Sequence, residues 1–124
     1  MQNKIITMGP VALTTTLTTN ILNPATTTGG VSAGGTTYAN TYILVRHIHI
    51  SNKTTAAATF SLWKGATGAN AAGTEFIGTG VSVPANSYLD FYGVWRFDVT
   101  DFLVGGASAA TALTLEMEGE IGLA

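Results

Sequence analysis

The stretch YILVRHIHIS, Tyr42 to Ser51, decides the fold class. Its β-branched, aliphatic and aromatic residues fit a pleated, half-buried surface, and its parity sets Leu44, Ile48 and Ile50 on one face and His47 and His49 on the other. That alternation predicts a strand with one side in a core. The polar run Asn52-Lys53-Thr54-Thr55-Ala56 ends it, and a second strand is predicted over 57–64, with Phe60 and Leu62 on one face and Thr59, Ser61 and Trp63 on the other. Two strands with so short a polar link predict an antiparallel hairpin.

Toward the C-terminus, the small-residue loop 65–73 leads to a short predicted strand over 74–79 that carries Glu75, Phe76 and Ile77. Val83-Pro84-Ala85-Asn86-Ser87 reads as a turn into a long aromatic strand, Tyr88 to Phe97, in which Gly93 marks a bulge or a close backbone approach. Residues 98–104 fit either a strand or one helical turn. Leu113, Leu115 and Met117 alternate with Thr114, Glu116 and Glu118, the pattern of a half-buried strand. Toward the N-terminus, Leu13, Leu17, Ile21 and Leu22 lie among Thr14, Thr15, Thr16, Thr18 and Thr19, before a Gly/Thr-rich tract over 25–37. This segment reads as a core strand followed by a long loop, or as an arm ordered against neighbouring subunits. The expected fold is all-β: a single antiparallel β-sandwich or jelly-roll-like domain with an extended N-terminal segment. Residues 1–41 supply the strand or arm and the loop, and 42–124 the sandwich core.

Composition narrows the function classes. Thr, Ala and Gly make up 53 of 124 residues, whereas Lys, Arg, Asp and Glu supply 12 and the formal charge is −2. Such a surface has no basic stripe to neutralise phosphates, so no nucleic-acid partner is expected. The absence of cysteine excludes disulfides, thiolate nucleophiles and Cys-based metal sites. No hydrophobic region of a signal peptide follows Met1, and no window approaches the roughly 18 to 20 apolar residues of a membrane helix. Neither export nor a membrane partner is expected.

His47-x-His49 is the one pair with metal-ligand spacing, because a period of two points both imidazoles to one side of a strand. A third ligand is needed. The carboxylate that follows His-x-His in metal-binding cupins is missing from 51–55, and Glu75, Asp90 or Glu116 are the distant residues able to replace it. Two outward histidines on a hairpin are more often surface residues or partner contacts, so no metal or other cofactor is expected. Asp98 with Asp101, or Glu116 with Glu118, form no supported acid/base pair: the first two flank a turn and the others read as a solvated face. No Gly-x-Ser-x-Gly elbow or P-loop occurs, and a non-enzymatic role is expected. Arg46 and Arg96, the only arginines, read as paired to a carboxylate such as Asp90 or Asp98 or as reaching a neighbouring subunit. Trp63, away from the parity of Phe60 and Leu62, reads as an outward interface anchor beside the histidines.

Several pieces resemble small virion proteins of tailed bacteriophages: Ile48-His49-Ile50-Ser51-Asn52, the strand Thr59-Phe60-Ser61-Leu62-Trp63, and Val83-Pro84-Ala85-Asn86-Ser87 before a strand. Asp101-Phe102-Leu103 and the closing Leu113-Thr114-Leu115-Glu116-Met117-Glu118-Gly119 continue the match, over about two thirds of the chain. The resemblance implies a capsid decoration (cement) protein in the virion that binds the major capsid protein and itself, as a homotrimer or other homo-oligomer. A tail, collar or fibre-base component, or a carbohydrate-binding module, would use a similar sandwich. The expected contacts are Ile5, Ile6, Leu13 and Leu17 on the N-terminal segment, with His47, His49 and Trp63.

Overall fold

The computed structural model describes residues 4–22, 31–33, 36–38, 42–98 and 100–122. Their regular structure is entirely β: β1 (Lys4–Ala12), β2 (Asn20–Leu22), β3 (Val31–Ala33), β4 (Thr36–Tyr38), β5 (Tyr42–Asn52), β6 (Ala58–Gly65), β7 (Val81–Val83), β8 (Tyr88–Phe97), β9 (Phe102–Ala107) and β10 (Leu113–Gly122). β3 and β4 pair only with each other. The other eight strands pair first with last, second with seventh, third with sixth and fourth with fifth: β1 with β10, β2 with β9, β5 with β8 and β6 with β7, all antiparallel. They form two four-stranded sheets, β1-β10-β5-β8 and β2-β9-β6-β7. This nested order is that of a jelly roll, the all-β sandwich expected.

The inner faces meet in one core. Ile43, Val45, Ile48 and Ile50 of β5 and Leu113, Leu115 and Met117 of β10 pack with Phe60 and Leu62 of β6, Val83 of β7 and Leu103 and Ala107 of β9. Most of these side chains are wholly buried, and each aliphatic or aromatic group so removed from water contributes about 1.5–3 kcal/mol.

β5 and β6 do not form the expected hairpin, because they belong to different sheets. Asn52 is the corner between them. Its buried side chain accepts from Thr54 N and Thr54 Oγ1 and donates to the carbonyls of Ala56 and Val83, so the polar link crosses the sandwich edge instead of folding back.

The parity of β5 is also interrupted. Ile43 and Val45 are buried on odd positions, Ile48 and Ile50 on even ones. Arg46 is an extra residue relative to β10, where Gly119 lies opposite Val45 and Glu118 opposite His47. β8 adds its own irregularity at the same level, so Gly93 does mark a bulge. Leu44 therefore leaves the core face that uninterrupted alternation assigned to it. The close approach requires glycine at 119, since a Cβ there would collide with the Leu44 carbonyl oxygen.

Residues 4–22 belong to the sandwich, β1 at the edge of one sheet and β2 at the edge of the other. The ambiguous 98–104 region holds a turn and the start of β9, a strand buried on both faces, which hides its alternation. Of the short strand expected over 74–79, only an isolated bridge from Glu75 to Trp63 forms.

Candidate functional site

The site lies on the outward face of β5 and β8. A regular strand would point His47 and His49 the same way as Ile43 and Val45, into the core. The extra residue Arg46 reverses the phase and turns both imidazoles outward. Across the ladder, His47 is opposite Tyr92 and His49 is opposite Asp90. Directly opposed side chains stand about 4.5–5.5 Å apart at Cβ, so the Asp90 carboxylate is within reach of both rings. Its Oδ1 lies 2.7 Å from His47 Nε2 and 2.7 Å from His49 Nδ1. The three side chains are half-buried, with 30%, 37% and 24% of their surfaces exposed for His47, His49 and Asp90.

The rings are held as well as paired. His47 stacks on Tyr92 with centroids 4.5 Å apart and planes 3° from parallel, and His49 packs against Tyr88 at 5.3 Å. The hydrogen bond from His49, then that from His47, holds the Asp90 carboxyl below its ordinary 3.8, against the opposing effect of desolvation. On the other side of β5, Glu118 and Glu116 of β10 lie opposite His47 and His49 and are exposed.

The remaining sequence-nominated residues lie elsewhere. Trp63 is on the outer face of its sheet, as its parity predicts, but is only 8% exposed: it packs with Phe102 and Val104 in a second apolar cluster. An outward anchor beside the histidines is therefore not what it forms. Leu13 is buried in the main core, so it too has little surface for a partner. Leu17 is 40% exposed at a groove of about 330 Å³ lined otherwise by Thr15, Thr59, Ser61, Gly106, Ala107 and Ser108, which offers no titratable group. The backbones of Ile5 and Ile6 pair with Glu120 and Gly119, and their side chains lie outside the described residues. Arg46 pairs with Glu120 and not with Asp90 or Asp98, whereas Arg96 does reach Asp98, at 2.8 Å. Asp98 and Asp101 close a turn, with Asp98 N donating to Asp101 Oδ2 and Asp101 N to the Asp98 carbonyl.

Two imidazole nitrogens and one carboxylate oxygen thus converge on a common point at an open surface. Among the described residues, no helix is long and apolar enough to cross a membrane. No family model, curated protein or solved structure matches the chain.

Proposed function

We propose that the chain is a structural protein of a phage virion, a decoration subunit that binds the major capsid protein and assembles with copies of itself, as a trimer or another homo-oligomer. The observation that carries this reading is the character of β8. Of the four large apolar side chains exposed among the described residues, Tyr88, Tyr92 and Val94 lie on this one strand, at 58%, 74% and 62%. β8 is ten residues long and ends its sheet. A long edge strand that carries aromatic side chains is a template for strand addition or apolar docking by another chain. The jelly roll adds support, being an architecture used by viral capsid domains, and so does the scarcity of charge, since unpaired charges are costly to bury at an interface. Repetition over many copies converts modest contacts into firm attachment.

Quantitative mass spectrometry of purified particles tests the reading. It expects copies on the order of hundreds per particle, on heads rather than tails, and an oligomer in solution by light scattering. Absence from particles, or a dozen or fewer copies confined to tails, overturns it, the latter in favour of a tail, collar or fibre-base component. Exposed Tyr88 and Tyr92 beside polar groups also support a carbohydrate-binding reading, because sugar rings stack on such aromatics. Binding to a glycan array without binding to capsids favours that module instead.

A further inference from the structure

We infer that His47, His49 and Asp90 form a binding site for one divalent first-row transition-metal ion of the zinc type, on the outward face of β5 and β8. The three donor atoms all lie within 4.8 Å of one another. Both imidazole nitrogens are aimed at the same carboxylate oxygen, at 2.7 Å each. In a tetrahedral site with bonds of about 2.0–2.1 Å, neighbouring donors stand about 3.3 Å apart. An opening of about 0.6 Å at each contact therefore admits the ion, a shift within reach of half-exposed rotamers.

The donors also match the ion. Two nitrogens and one oxygen suit zinc, cobalt or nickel, whereas calcium and magnesium require sets made of oxygen. Zinc takes His47 through Nε2 and His49 through Nδ1, with each ring's proton on its other nitrogen. The ion takes the place of the hydrogens now shared with Asp90, and in a neutral imidazole that hydrogen passes to the ring's other nitrogen, so only an imidazolium gives up a proton on binding. Ring orientation, which neighbouring groups must fix for tight binding, comes from the Tyr92 stack and the Tyr88 contact. Glu116 and Glu118, opposite the histidines on β10, add negative charge beside the site. Three protein ligands leave at least one coordination position open, facing outward along the strand that bears Tyr88, Tyr92 and Val94.

Titration of the full, untagged chain with Zn²⁺ by calorimetry, with Co²⁺ absorption as a second probe, tests the site. The expected result is one ion per chain, unaffected by a large excess of Mg²⁺ or Ca²⁺, with affinity lowered at least about tenfold by His47→Ala, His49→Ala or Asp90→Ala. Circular dichroism verifies that the variants fold. NMR of the unaltered chain gives an independent reading, in which Zn²⁺ shifts the ring signals of His47 and His49 before any other. Binding at unchanged affinity after both histidines are replaced, or ring signals that do not respond to Zn²⁺, overturns the inference and leaves a hydrogen-bonded cluster only.

Discussion

The outward faces of the two sheets differ in how they treat their aromatic residues. On the β2-β9-β6-β7 sheet, Trp63 is drawn into a second apolar cluster with Phe102 and Val104, and β9 is buried along its whole length. On the β1-β10-β5-β8 sheet, Tyr88 and Tyr92 stand in solvent and brace a cluster of two imidazoles and a carboxylate. The same sandwich thus covers the aromatic residue on one outer face with its own chain and leaves those on the other exposed. A large aromatic residue outside the main core is not by itself evidence of a docking site, and whether its own chain covers it decides.

The largest effect should come from removing residues 1–22, which takes an edge strand from both sheets at once. This truncation should abolish cooperative unfolding monitored by circular dichroism. A truncated chain that still melts cooperatively would show that β1 and β2 are a detachable clamp. Next, Trp63→Ala should cost about 3–5 kcal/mol in urea unfolding, whereas Tyr92→Ala, on the open face, should cost less than about 1 kcal/mol. Equal costs would erase the distinction between the faces.

A smaller effect is acid-specific. In the folded chain Asp90 is held below its ordinary 3.8, so the stability it lends is whole above that value and is lost as pH falls through the lower folded one. In chelator-treated protein, Asp90→Asn should therefore flatten the dependence of stability on pH below about pH 4. An unchanged slope would mean that the histidines do not hold this carboxylate. Smallest of all, Arg46→Ala removes an ion pair with Glu120 whose arginine is half exposed, and should shift stability by no more than about 0.5 kcal/mol.

Much of the sandwich is legible in residue alternation. Phe60 and Leu62, or Leu113, Leu115 and Met117, face the core as their spacing predicts, and the Asp98–Asp101 turn and the solvated Glu116 and Glu118 are equally plain. Alternation fails where a local event changes the count. The inserted Arg46 flips β5 midway and misplaces Leu44, and β9 has no polar face to alternate against. Pairing across sheets is not written in neighbouring residues either, which is why a polar link of hairpin length proved to be a crossover. The histidine pair is visible at once by its spacing. Asp90, 41 and 43 residues away, is one of several acids until β8 is laid beside β5.

The nesting of strands also governs how the chain acquires its shape. Among the eight nested strands, β6 and β7 are the closest pair in sequence, while Lys4 must find Ile121. Such distant pairing places folding on the slow side, in the range of milliseconds to seconds. On a ribosome β1 is made well before its only sheet neighbour, β10, so it stays unpaired until synthesis reaches β10.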